Sequence, residues 1–355
     1  MQALVLTEPG EFEIRDVAVP EPKPFEVQCL IRAVAICGSD PEIIRGDLAG
    51  EWPPAYPFIA GHEWSGEITA IGEGVLDYQV GDRVAGEAHK GCGTCRNCLN
   101  GRYTICENYG KPETGHRHYG FKSQGAYAQY NVYSVKSISP LPDNVTFREG
   151  AMGDTAGVAL HGVELSGVTP GGTVAVIGPG PIGLVSMRLA KAMGAAKTIM
   201  VGRGGRLAAA GRLGANVLVD FEKEDPVAAV RNESKALGVD EVFECSGAEG
   251  TLNQAIRMVR KGGRVSLLGV PPDTVVEGVP FKYIVHNEIA IFGSRANPNV
   301  NRRVLCMISS GLLQVSDLIT HVFPLVEFEQ ALDTFINRRE GAVKVVVEPN
   351  GKEKD

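Results

Sequence analysis

Cys92, Cys95, Cys98 and Cys106 stand at spacings C-x2-C-x2-C-x7-C, and they are half of the chain's eight cysteines. Each C-x-x-C turn can bring two sulfurs to the same ion, so the four thiols suit one closed tetrahedral zinc, a structural site with no position left for a substrate. Upstream lie Cys37, in Cys37-Gly38-Ser39-Asp40, and an imidazole and a carboxylate in Gly61-His62-Glu63. A catalytic zinc takes three protein ligands and keeps a fourth position open. Cys37 and His62 supply two, and Asp154, in Ala151–Gly157, is the candidate for the third. Glu63 is either a fourth, exchangeable ligand or an acid that orients His62. Two zinc ions per chain are therefore expected. Cys29, Cys245 and Cys306 are isolated among apolar neighbours and read as buried, inert thiols.

A second constellation follows the metal residues. Gly178-Pro179-Gly180-Pro181-Ile182-Gly183 comes directly after the apolar run Thr173–Ile177 and opens a helical pattern. That is the context a dinucleotide fingerprint needs. The first glycine permits the turn, the second lets the backbone approach a pyrophosphate, and the third allows helix and strand to pack closely. The helix that opens with Pro181, which has no N–H of its own, offers the free N–H groups from Ile182 onward to phosphate. An NAD site usually places an acid on the adenine ribose at the end of the second strand. Here that position is Gly202, followed by Arg203 and Arg206, and no acid occurs in the next seventeen residues until Asp220. Glycine makes room for a 2′-phosphate and arginine can bind it bidentately, which favours NADP(H) over NAD(H). The alternative keeps Arg203 and Arg206 as solvated loop charges.

The elements that must position these residues are of two kinds. Residues 1–155 carry short alternating runs, such as Glu26–Ala35, Trp64–Ile71 and Ala126–Val135, cut by Gly, Pro and Asp turns. They predict a β-rich, partly closed barrel. From Thr173 onward, six apolar runs alternate with helical patterns, which predicts a doubly wound parallel sheet of the α/β class over residues 156–293. Residues 294–355 are mixed and too few for a domain, and are expected to return to the first one. With 355 residues, 44% of them hydrophobic, the chain can bury two cores. Its formal charge of −7 lacks the basic patch that nucleic acid requires. No apolar run approaches the length of a membrane helix. The N-terminus has no basic segment followed by a hydrophobic one, so a cytoplasmic location is expected. There, clustered thiols are metal ligands more often than disulfides.

Cys37-Gly-Ser-Asp40, Gly61-His-Glu63, Gly81-Asp-Arg-Val84, the four-cysteine lobe and Gly178–Gly183 occur in the order found in the zinc-dependent medium-chain dehydrogenases, and the chain resembles that alcohol dehydrogenase superfamily over essentially its full length. The resemblance implies a GroES-like catalytic domain, a Rossmann domain, and a homodimer or homotetramer. It also implies hydride transfer between a secondary hydroxyl and a nicotinamide. Ser39 is then placed to accept the hydroxyl proton and pass it to the cofactor ribose. Gly86-Glu87-Ala88-His89 leading into the cysteine lobe is similar to threonine and polyol dehydrogenases. Asp154 with Gly202-Arg203 looks more like NADP-dependent secondary alcohol dehydrogenases. Where many members carry a proton-passing histidine five residues after the zinc cysteine, this chain has Glu42. The reading is a dehydrogenase of a polyol, sugar or simple alcohol. Alternatives are an NAD-dependent threonine-type enzyme, a zinc-free quinone or enoyl reductase, and a non-catalytic nucleotide-binding protein. His116 and His118 read as an exposed loop, with a cleft-facing substrate contact or an adventitious metal site as the alternative; His89 reads as a residue able to reach substrate.

Overall fold

The computed structural model describes residues 1–271 and 278–351. Residues 272–277 of the expected dinucleotide-binding segment and 352–355 of the C-terminal segment lie outside the described residues. The chain divides into two units, Met1–Asp154 with Pro298–Asp355, and Thr155–Asn297.

The first unit is built on a seven-stranded sheet whose centre is Glu26–Ala35 and Glu63–Ile71, paired antiparallel. Val27, Cys29, Ile31 and Ala33 alternate inward along the first of these, the period of two that defines a half-buried strand. Beside it lies Lys344–Glu348, antiparallel, with Val346 opposite Ala35, so residues near the chain's end join the sheet that carries Cys37. Ile319–Pro324 continues beyond it, and Arg83–Gly86 and Ile138–Pro140 extend the other side. Trp64, fully buried, stacks on Tyr133 at 4.0 Å between ring centroids.

The second unit is a six-stranded parallel sheet. Its spatial order is Val217–Asp220, Lys197–Gly202, Thr173–Ile177, Val239–Glu244, Val259–Leu267, Ala290–Gly293. In order of appearance this is 3-2-1-4-5-6, the doubly wound Rossmann arrangement expected from the alternating runs. Val174, Ala175 and Val176 are buried with no alternation, as strands covered on both faces must be. The order reverses beside the first strand, whose C-terminal end carries the glycine fingerprint. No helix among the described residues is long and apolar enough to cross a membrane.

Candidate active site

The register of two strands assembles the first metal set. Ala35 lies opposite Glu63, so the chain leaving one strand at Cys37 and the chain entering the other at His62 emerge at the same sheet end. One ligand atom each from Cys37, His62 and Glu63 lies within 4.8 Å of the others. Asp154 stands outside that group of three, in the first turn of the helix Gly153–Ser166, and is buried. Its charge still reaches His62. Burial works against the His62 imidazolium, but Cys37, Asp40 and Asp154 together outweigh it and hold the ring's pKa up at about 10. A divalent cation would replace that proton.

Asp40, three residues past Cys37, lies fully buried beneath the set. Its Oδ2 accepts from the Cys37 N–H and from the Tyr127 hydroxyl, each at 2.8 Å. Its Oδ1 stands 3.7 Å from His62 Nδ1, beyond hydrogen-bond range. Glu63 forms an ion pair with Lys344, and both side chains are buried. The sequence reading placed neither Asp40 nor Lys344 in the site. A signal existed for Lys344, since it is the one cation in the apolar run Ala342–Val347, and a cation buried in a strand requires an acid. Ser39 Oγ is buried without a hydrogen-bond partner, the state expected of a hydroxyl whose partner is a substrate.

The residues expected as an exposed loop are buried instead. His116 and His118 are 2% and 3% accessible. The cause is packing: Phe121 stacks on His118 at 3.9 Å, and His118 stacks on His89 at 3.9 Å. His89 and His118 face each other across a short strand pair. Trp52 Nε1–H donates to the Tyr109 oxygen at 3.0 Å. The same oxygen shares a hydrogen bond with His118 Nδ1, 2.6 Å away. Phe121 also contacts the His62 ring at 4.6 Å, so an aromatic and imidazole column runs outward from a metal-set residue. Glu87, buried near these groups, accepts from Tyr103 Oη at 2.7 Å. Burial, with the Asp154 charge, raises its pKa to about 8.

The second metal set is the cysteine lobe. Cys92, Cys95, Cys98 and Cys106 are free thiols whose sulfurs converge within 4.8 Å. Cys92 and Cys98 are 3.9 Å apart, as are Cys95 and Cys106. A tetrahedron with zinc–sulfur bonds of about 2.3 Å has edges of about 3.8 Å. Hydrogen bonds from Thr94 and Asn108 lower the Cys92 pKa to about 5. Burial pushes Cys98 up to about 12. Of the isolated cysteines, Cys29 is buried, but Cys306 is exposed, against the expectation of an inert buried thiol.

In the second unit, Gly178 turns the chain at φ +96°. A Cβ at Gly183 would collide with the Gly178 carbonyl, and one at Gly180 would meet only open space. Gly180 caps the helix Pro181–Ala192 without a side-chain hydrogen bond, so the N–H groups of Ile182 and Gly183 in its first turn stay available to a phosphate. Gly202 ends the second strand, and a Cβ there would stand 2.5 Å from Pro179 Cγ and Cδ. Arg203 is exposed and Arg206 half-buried. Gly202 lies in register with Asp220, so the acids distant in sequence are adjacent in space.

Two family descriptions match the chain: an alcohol dehydrogenase GroES-like domain over residues 23–143 and a zinc-binding dehydrogenase over residues 181–310. The sorbitol dehydrogenase of Bacillus subtilis (strain 168) is 32% identical over 352 residues, 99% of this chain and 98% of the relative. The chain belongs to the zinc-type medium-chain dehydrogenase/reductase family. An L-threonine 3-dehydrogenase of Bacillus licheniformis is 33% identical, over 98% of this chain and 99% of its own length. A zinc-binding-dehydrogenase-type protein of Sinorhizobium meliloti 1021, solved bound to NADP, superimposes with a TM-score of 0.88 at 33% identity, covering 98% of this chain and 99% of that one. This medium-chain dehydrogenase/reductase therefore combines the family's GroES-like and Rossmann-like parts in one chain, and polyol, alcohol and threonine dehydrogenases are all among its relatives.

Proposed function

We propose that the protein is a zinc-dependent dehydrogenase of a secondary hydroxyl, in a polyol, sugar or simple alcohol, with NADP(H) as its hydride carrier. The observation that carries this reading is the convergence of Cys37, His62 and Glu63 beside the unsatisfied Ser39 hydroxyl. Cys37, His62 and Asp154 would hold the catalytic zinc and Cys92, Cys95, Cys98 and Cys106 the structural one. Bound there, zinc would supply Lewis acidity that makes a substrate hydroxyl easier to deprotonate, and a nicotinamide would supply the hydride acceptor. Glu63, already paired with Lys344, serves in this reading as a neutralised carboxylate next to His62. Asp40 fixes the Cys37 loop through the backbone N–H. Ser39 accepts the substrate's hydroxyl proton. Gly178, Gly180, Pro181, Ile182 and Gly183 cradle the pyrophosphate, and Gly202, Arg203 and Arg206 face the adenine ribose. A cytoplasmic location accords with the free thiols.

A second reading, NAD⁺-dependent oxidation of a threonine-type amino alcohol, draws on the threonine dehydrogenase relative and on the buried Glu87 and His89. Initial rates of zinc-loaded protein on secondary alcohols, polyols, sugars and threonine, each with NADP⁺ and NAD⁺, separate the two. Turnover of a polyol, sugar or alcohol with NADP⁺ preferred is the expected result. Threonine turnover driven by NAD⁺ would replace the first reading with the second.

A further inference from the structure

The end of the third strand of the parallel sheet holds an ion pair that the sequence does not announce. Arg203 Nη1 meets Glu222 Oε1 at 2.7 Å. The two side chains are 57% and 52% exposed, so the pair is accessible to a ligand. The guanidinium lies over the Phe221 ring, 5.7 Å from its centroid, which restricts where it points. Asp220, the other acid here, is 2.8 Å from Lys223 and so carries its own counter-charge. Glu222 is instead paired with Arg203, one of the two arginines proposed to meet the 2′-phosphate of NADP(H). Its backbone is fixed as well, since the Glu222 N–H donates to Asp220 Oδ1 at 3.1 Å.

We infer that Glu222 is a specificity-determining residue that restrains the preference for NADP(H), by competing as an intramolecular anion with the 2′-phosphate for Arg203. The inference rests on the proposed role of Arg203. Among the described residues Glu222 engages one guanidinium nitrogen of Arg203, which leaves other donors for a phosphate and makes the competition electrostatic, not steric. A 2′-phosphate brings up to two negative charges to a cation already half-neutralised, and it meets the Glu222 carboxylate at close range. NAD(H) has a hydroxyl at that place and carries no such penalty. Glu222 therefore keeps the two cofactors closer in affinity than Arg203 alone would set them.

The test is binding, independent of turnover. NADPH and NADH are titrated into the zinc-loaded full chain by cofactor fluorescence, for the wild type, Glu222→Gln, Arg203→Ala and the double variant. Glu222→Gln should tighten NADPH about three- to ten-fold and leave NADH within about twofold. Arg203→Ala should weaken NADPH by about tenfold or more. In the Arg203→Ala background, the benefit of Glu222→Gln should shrink, the signature of coupling through one cation. If Arg203→Ala weakens NADPH while Glu222→Gln changes nothing, the inference fails and the role of Arg203 stands. If Arg203→Ala leaves NADPH binding intact, that role fails and takes the inference with it. If Glu222→Gln weakens NADH, Glu222 is an acceptor for the ribose hydroxyls and the inference is overturned. Both side chains are exposed, so the variants retain the fold.

Discussion

Two side chains carry the chemistry most open to test. Ser39 has a buried hydroxyl with no hydrogen-bond partner among the described residues. A hydroxyl in that state costs free energy unless a ligand satisfies it. Ser39→Ala is expected to lower kcat by about 10²–10⁴-fold with zinc content unchanged, read by steady-state rates beside metal analysis; undiminished turnover would remove Ser39 from the proton path. Glu87 allows a prediction with a definite sign. Its folded-state pKa, about 8, lies above the ordinary 4.5, because burial disfavours the carboxylate. The folded chain then binds a proton that the unfolded chain has lost, so folding is penalised as pH rises from about 4.5, and fully so above about 8. Glu87→Gln removes that penalty. Its melting temperature relative to wild type should climb between pH 6 and pH 8.5, by the equivalent of a few kcal/mol at most. A difference independent of pH would mean that Glu87 is ionised in the fold.

At the scale of elements, the cysteine lobe is the turn proposed to hold the structural zinc. Cys95 caps the short helix Arg96–Leu99, its sulfur accepting from the Cys98 N–H. Serine is a good helix cap, so Cys95→Ser keeps the cap and removes only the metal ligand. Zinc should fall by one ion per chain and the melting temperature by about 5 °C or more. Rates per folded molecule should be kept; metal analysis and a melting curve decide. The parallel sheet was legible because most of its strands contain a short apolar run and the glycine fingerprint marks where the first one ends. The second strand, Lys197–Gly202, ends at Gly202, the position that the spacing from the fingerprint assigns to the adenine ribose. What sequence could not show is register. Ala35 opposite Glu63, and Gly202 opposite Asp220, depend on how strands slide past one another, and no local pattern encodes that. For the same reason the stretch without acids after Gly202 looked longer in sequence than it is in space. His116 and His118 were misread because a loop sequence is polar whether or not Trp52, Tyr109 and Phe121 come from elsewhere to cover it.

At the scale of the molecule, the parallel sheet ends on Ala290–Gly293, which has a neighbour on one side only among the described residues. Phe281 and Val285, on the preceding helix, are 74% and 56% exposed. An open edge beside exposed apolar side chains invites pairing with another chain. We propose that a second copy covers it, in a homodimer or homotetramer; light scattering at micromolar concentration should return two or four times the chain mass. A single-chain mass would remove the proposal. On the NADP(H) reading proposed above, the closeness of Pro179 to Gly202 has a different consequence, for the routes by which this chain could change its cofactor. The usual single step toward NAD, an aspartate at the end of the second strand, is closed, because even its first carbon would strike the Pro179 ring. A switch must alter positions 179 and 202 together, or leave both alone and work from the neighbouring strand. The proline thus divides the mutational landscape into a blocked direct path and an open lateral one, and evolution or a designer starting from this sequence would find the lateral path first.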